Sequence, residues 1–388
     1  MKRATGILLA LLLTFSLLPS PARAAGLEVA GKSAVLMDAA TGTVLYESNP
    51  HEKLPPASVT KVMTMLLIME AVDSGKLSLE DTITASEAAA AKGGSQIYLK
   101  VGETMAAKDM LKSIAVSSAN DCACAMAEHL AGSEGAFVEQ MNRRAGELGM
   151  NDTHFVNCTG LDDGENAAQH RTSAYDIALM SRELLVNHPD IKKFTTIWMD
   201  TVRNGAFGLS NTNKLIRFYP GATGLKTGYT SGAGYCLSAT AQREGMELIA
   251  VVMGCETSQK RAAACKSMLD YGFANFSVIS PGLDRDIRVP VILGNADSVP
   301  LTLDGGETML IDKGQKGSIT YEVAPEPSVK APVRKGQALG SLTVKAGDQV
   351  LRSVPLVASE NVERLGWGAL FVQVLRRAAM GKPAGESA

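Results

Sequence analysis

Residues 57–72 read ASVTKVMTMLLIMEAV, and the fold turns on how this stretch is read. Its pattern is helical and apolar almost all round, which predicts a helix enclosed by protein in the middle of a domain. Ser74-Gly75 supplies the stop. The helix opens on Ser58-Val59-Thr60-Lys61. Positions i and i+3 lie about 60° apart on a helix, so Ser58 Oγ and Lys61 Nζ can meet. A serine hydroxyl is a poor nucleophile until a base takes its proton. A lysine can do so only if burial or a neighbouring cation lowers its pKa well below about 10.4. A buried helix meets the first condition. Alone, S-x-x-K arises often by chance, and by itself it reads better as a helix cap followed by a snorkelling lysine.

Upstream, Ser33 to Asn49 has the look of a β-hairpin, with apolar AVLM, the turn segment Asp38 to Gly42, then TVLY. Downstream, helices are expected from about Met105 to Val116, Asp121 to Leu130, Phe137 to Leu148 and Ala174 to Val186. After Gly224 the character returns to β. Tyr235–Arg243 and Met246–Gly254 are apolar runs joined by Glu244-Gly245, and a helix from Gln259 to Phe276 closes the domain. A hairpin, several helices and then more strands suits N- and C-terminal strands meeting in one antiparallel sheet with helices around it. The domain division expected is 25–276, then a small all-β domain over 277–359, where short β-type runs alternate with Gly, Pro and Asp turns.

Both ends have a texture of their own. Residues 1–24 combine Lys2 and Arg3, the apolar stretch Ile7 to Leu18, and Ala22-Arg23-Ala24, the pattern of a signal peptide cleaved after Ala24. In the tail, 360–388, Val362, Leu365, Leu370, Phe371, Val374 and Leu375 recur near helical spacing around Trp367, with Arg364, Arg376 and Arg377 among them. Its apolar core is too short to span a bilayer. An interfacial amphipathic helix on a membrane surface fits, as does a helix packed on its own domain.

Composition closes off several classes. Hydrophobic residues make up 46% and charged residues 20% of the 388, which is globular rather than disordered or fibrous. A formal net charge of −2 and 5% aromatics leave no footprint for nucleic acid. The six cysteines, Cys122, Cys124, Cys158, Cys236, Cys255 and Cys265, sit in apolar or small-residue runs and read as buried thiols. Neither they nor the five histidines show metal-ligand spacing, so no metal and no cofactor is expected.

Two further motifs give the first its meaning. Ser118-Ala119-Asn120 stands between two helical segments and could offer a hydroxyl for proton relay and an amide for a substrate carbonyl. Lys226-Thr227-Gly228 opens a β-type run, where lysine and hydroxyl can clamp a carboxylate and glycine lets a substrate lie against the strand. Each is weak alone. In this order, at a helix start, an inter-helix loop and a strand, S-x-x-K, S-x-N and K-T-G form the signature of penicillin-binding proteins and class A β-lactamases.

Residues 30–380 resemble the D-alanyl-D-alanine carboxypeptidases, the low-molecular-mass penicillin-binding proteins of serine peptidase family S11. The resemblance extends to DAATGTVLYESN, PPASVTKVMTMLL, VSSAND, GLDDGEN, HRTSAYDIALMSREL and GATGLKTGYTSGAGYCLSATA. It implies an α/β (α+β) fold of the penicillin-binding-protein/β-lactamase type. It also implies a β-rich C-terminal domain and a membrane-associating tail on the outer face of the cytoplasmic membrane. The implied reaction removes the terminal D-alanine from peptidoglycan stem peptides ending in D-Ala-D-Ala, through an acyl-enzyme that β-lactams also form. Ser58 would be the nucleophile, Lys61 its base and Ser118 a proton relay. Asn120 would hold the substrate, and Lys226 and Thr227 its terminal carboxylate. Ser58 and Tyr229 would lend backbone N–H groups to an oxyanion hole beside Gly228, and Arg261 would also contact the carboxylate. Transpeptidase or endopeptidase action on the same stems is the nearest alternative. A class A β-lactamase would need a glutamate for deacylation, and Glu165 sits in a carboxypeptidase-type context instead. A non-enzymatic wall-binding protein would have no use for Ser58, Lys61 and Lys226 together.

Overall fold

The computed structural model describes residues 27–162, 166–283, 286–305, 308–369, 371, 372 and 375. The expected signal peptide, Glu165, and Leu370, Val374, Arg376 and Arg377 of the tail lie outside the described residues. The chain begins with β1 (Ser33–Asp38) and β2 (Val44–Ser48), a hairpin whose turn is tied by the Asp38 carboxylate, which accepts from Thr41 N and Oγ1 at 2.8 and 2.7 Å. A 3-10 turn, Ala57–Thr60, leads into α1 (Lys61–Asp73). Next come β3 (Thr82–Thr84), α2 (Glu87–Ala90), β4 (Thr104–Ala106), α3 (Ala107–Ser117), α4 (Asn120–Ala131), α5 (Glu134–Glu147) and α6 (Ala174–Asn187). They are followed by α7 (Lys192–Thr195), β5 (Met199–Val202), β6 (Phe207–Ser210) and α8 (Leu215–Phe218). Then β7 (Ala222–Thr230), β8 (Gly234–Arg243), β9 (Met246–Cys255) and α9 (Ser258–Asn275) complete this part.

The five-stranded sheet has the order β2-β1-β9-β8-β7 and is antiparallel throughout. First and last strands therefore meet in its middle, where Val35 faces Val251 across β1 and β9. Both faces of the sheet are covered, so strands read as continuous apolar runs rather than as alternation. Val35, Met37, Ile249, Val251 and Met253 point into a core shared with α1, α3, α4 and α6. Their neighbours Ala34, Leu36, Leu248, Ala250 and Val252 point the other way, against Cys265, Met268 and Leu269 of α9. Helix α1 runs through the larger core, buried from Lys61 to Met69. All six cysteines are free and buried.

Caps and short pairings correct several expected boundaries. The helix expected from Met105 begins at Ala107, because Thr104–Ala106 are extended and pair with β3. The helix expected from Phe137 begins one turn earlier, at Glu134, where Ser133 Oγ accepts from Ala136 N at 3.1 Å. The β5–β6 hairpin has no counterpart in the sequence reading. Beyond α9, a six-stranded sheet built from strands between Arg288 and Ala358 encloses a separate core of Val289, Val299, Leu342, Val344, Leu356 and neighbours.

Candidate active site

The 3-10 turn holds Ser58 just ahead of α1, and Lys61, three residues on, is the first residue of that helix. Two close approaches shape this corner. A Cβ on Gly228 would stand 2.7 Å from Pro56 O and 3.1 Å from Ser58 N, so only glycine lets β7 lie against the serine. Gly160, at φ +81°, has no room for a Cβ at all against the Ala57 carbonyl.

Lys61 is fully buried, with Nζ 2.9 Å from Ser58 Oγ and donating to Thr159 O at 2.8 Å. Burial lowers its pKa to about 7, opposed by the nearby Cys158 and the Asp121 carboxylate. Lys226 is buried as well, with Nζ donating to Thr227 O at 3.0 Å. Burial pushes its pKa well below the usual lysine value, and the charges of Lys61 and Arg261 push it further. The two lysines therefore sense each other's charge, and a proton on one disfavours a proton on the other.

Ser118 ends α3 in a left-handed conformation, φ 64° and ψ 29°. This sharp exit turns the chain directly into α4, whose first residue is Asn120. Asn120 Nδ2 donates to Gly93 O at 2.7 Å, and its backbone N donates to Ser95 O at 2.7 Å. Five buried polar side-chain atoms among the described residues have no partner, and three of them are Ser118 Oγ, Asn120 Oδ1 and Arg261 Nε. Buried polar atoms are normally paired, so each of these three orphans, all on residues that the sequence reading singles out, is open to a partner from outside the chain.

Strand β7 is an edge of the sheet, so its outward backbone groups lack a ladder partner. Thr227 Oγ1 donates to Thr212 Oγ1 at 2.7 Å. The Tyr229 ring is exposed and packs 4.3 Å from that of Tyr235. Arg261 reaches from α9 to the rear of this strand, where Nη1 donates to Gly228 O at 3.2 Å and Cys236 O at 3.3 Å, with the guanidinium 5.5 Å over Tyr235. Its visible partners are thus carbonyls behind the K-T-G segment.

Sequence reasoning missed the groups that hold this arrangement. Asn157 Oδ1 accepts from Thr159 N, Thr159 Oγ1 and Gly160 N, folding the loop that presents Thr159 O to Lys61. The buried Asp121 carboxylate accepts from Ile97 N and Leu99 N, fixing the segment that holds Asn120. Both lie beside motifs that the sequence singles out, yet neither has a spacing that sets it apart. Among the described residues one set could hold a metal, Glu70, Glu183 and His188, with ligand atoms within 4.8 Å of one another. Arg144 already bridges both carboxylates, at 2.7 and 2.5 Å, and Glu70 stands nine residues along α1 from Lys61.

Comparisons with known proteins point to one family. The family model described as D-alanyl-D-alanine carboxypeptidase matches residues 20–257, and that described as Penicillin-binding protein 5, C-terminal domain, matches 284–364. The D-alanyl-D-alanine carboxypeptidase DacF of Bacillus subtilis is 42% identical, over 97% of this chain and 98% of the relative. Penicillin-binding protein 5 from Haemophilus influenzae superposes with a TM-score of 0.73 at 29% identity, over 87% of this chain and 98% of that one. Penicillin-binding protein D2 from Listeria monocytogenes, solved in an ampicillin-bound form, gives 0.58 at 32% identity, over 64% of this chain and 99% of that one.

Proposed function

The chain belongs to the D-alanyl-D-alanine carboxypeptidase family, and from that membership we propose how its own residues divide the work of a serine-type D-alanyl-D-alanine carboxypeptidase. The observation that carries the reading is a buried lysine of pKa about 7 placed 2.9 Å from the Ser58 hydroxyl. Neutral Lys61, with one N–H spent on Thr159 O, has its lone pair free to take the Ser58 proton. Ser58 Oγ attacks the carbonyl of the penultimate D-alanine, held by the Asn120 side chain. The resulting oxyanion is stabilised by the backbone N–H groups of Ser58 and Tyr229.

The unpartnered Ser118 hydroxyl relays the proton to the leaving nitrogen. The C–N bond breaks and free D-alanine departs. Water then attacks the ester, returns a proton to Ser58 and releases the shortened stem. Lys226 and Thr227 receive the terminal carboxylate, with Arg261 as a further cation behind the strand. An arriving carboxylate favours the charged form of Lys226. That charge in turn favours neutral Lys61, so substrate binding readies the base.

β-Lactams imitate the same dipeptide and acylate Ser58. Residues 25–276 form the catalytic part and 277–359 the β-rich part. The protein is exported and rests on the outer face of the cytoplasmic membrane through its tail. No helix among the described residues is long and apolar enough to cross a membrane. Residues 367–369, 371, 372 and 375 are helical, and Trp367, Phe371 and Leu375, spaced four apart on one face, are 89%, 65% and 52% exposed. Exposed apolar side chains on one helical face suit a lipid surface.

The test is intact-mass analysis after penicillin exposure, for the protein and for Ser58→Ala, together with D-alanine release from a peptide ending in D-Ala-D-Ala. A covalent adduct on the unsubstituted protein alone, with D-alanine released, is expected. An adduct without release would replace the reading with a transpeptidase or endopeptidase, and no adduct would overturn the assignment of Ser58.

A further inference from the structure

His170 stands outside the three motifs, buried at the start of the segment that leads into α6. Its Nδ1 lies 3.2 Å from Val156 N, and that backbone N–H can only donate, so Nδ1 is the acceptor. Burial first, then the neighbouring His154 and Arg171, lower the pKa of His170 to about 4, so the ring is neutral near pH 7. A neutral ring with Nδ1 accepting carries its proton on Nε2. Nε2 is 2.8 Å from Thr60 Oγ1, to which it donates. The Thr60 hydroxyl therefore turns its own hydrogen to Ala57 O, 2.8 Å away. The three bonds run in one direction, from Val156 N–H through the imidazole and the hydroxyl to the Ala57 carbonyl.

What makes the end of this chain important is the peptide to which that carbonyl belongs. Ala57 has φ +48°, a region that non-glycine residues rarely occupy, and surrounding contacts must hold it there. The peptide unit is planar, so fixing the Ala57 C=O fixes the N–H on its other side. That N–H is Ser58's. A carbonyl that accepts a hydrogen bond also makes its own peptide N–H a better donor, and aligned bonds strengthen one another.

We propose that His170 is a positioning residue for the reaction, acting through Thr60 and the Ala57 carbonyl to aim the Ser58 N–H at the oxyanion. The inference rests on the reading of Ser58 as nucleophile, which the Ser58→Ala adduct test decides separately.

The experiment measures penicillin acylation by the full-length protein, separating the affinity of the non-covalent complex from the rate of acylation within it. The variants are His170→Gln, His170→Phe, Thr60→Ser, Thr60→Val and the Phe/Val double substitution. Losing one oxyanion donor outright costs about 10²–10³ in rate, so a misaimed one should cost about 10–100-fold. His170→Phe and Thr60→Val are expected to slow acylation by that factor with affinity within about twofold, and the double substitution to be no slower than either. Thr60→Ser, which keeps the hydroxyl, and His170→Gln, which keeps a donor towards Thr60, are expected to recover most of the rate. Should His170→Phe not fold, the Thr60 pair decides alone, since Ser and Val differ there in the hydroxyl. Equal rates for Thr60→Ser and Thr60→Val would overturn the proposal. So would a loss of affinity in place of rate, or losses that multiply in the double substitution.

Discussion

The two parts of this molecule, before and after Ser277, are built on opposite terms. Beyond Ser277, the buried side chains among the described residues are apolar, and no buried polar or charged group appears there. Before Ser277, two lysines, Asn120, Asp121, Thr60 and His170 are buried, and every unpartnered buried polar atom among the described residues lies in this part. Burying a polar group costs stability unless it finds a partner, and burying a charge costs far more. The part beyond Ser277 thus carries no such cost among its described residues, whereas the part before it carries that cost at the groups of the proposed site.

Four measurements can break or sharpen that contrast. The largest effect belongs to Ser58→Ala, which should abolish the penicillin adduct and lower D-alanine release by at least about 10⁴-fold, read by intact mass and by assay. Lys61→Met should lose acylation on a comparable scale yet melt at a higher temperature. The sign follows from linkage. The folded pKa of about 7 lies below the unfolded lysine value of about 10.4. Between the two, the unfolded chain binds more protons, so stability rises with pH, and below about 7 the full penalty is present. At pH 6, calorimetry should therefore show Lys61→Met melting a few degrees higher. If its melting point falls, the buried lysine does not carry the cost assigned to it.

Leu342 is fully buried in the all-apolar core, so Leu342→Ala should cost about 2–5 kcal/mol in chemical denaturation of that part. Acylation should stay within about twofold of the unsubstituted protein, since the site has no residue there. The pH profile is a smaller effect. On the proposed mechanism acylation needs neutral Lys61, so its rate should fall about tenfold per unit below pH 7 and level off above it. A rate flat from pH 5 to 9 would assign the base elsewhere.

Much of this contrast was legible beforehand, and for different reasons in the two regions. The almost all-round apolar pattern from Ala57 to Val72 announced a central helix, because no broad solvent-facing stripe interrupts it. Short β-type runs punctuated by Gly and Pro announced the second domain for similar local reasons. Boundaries set by a single pairing or cap, such as Thr104–Ala106 and Ser133, were not legible. A short polar segment takes its conformation from whichever partner reaches it first.

By itself, then, the sequence determined the order of elements, the enclosed helix and the three motifs, at the start of that helix, between helices and on a strand. These are encoded in periodicity and in spacing of a few residues. Only the tertiary structure decided that Thr159 O would hold Lys61, that Arg261 would reach carbonyls behind Gly228, and that His170 would face Thr60. Those bonds join residues 98, 33 and 110 positions apart, and two of the three end on a backbone oxygen. Every residue carries such an oxygen, so no side-chain pattern marks which carbonyl will be used, and only the folded path of the chain selects it.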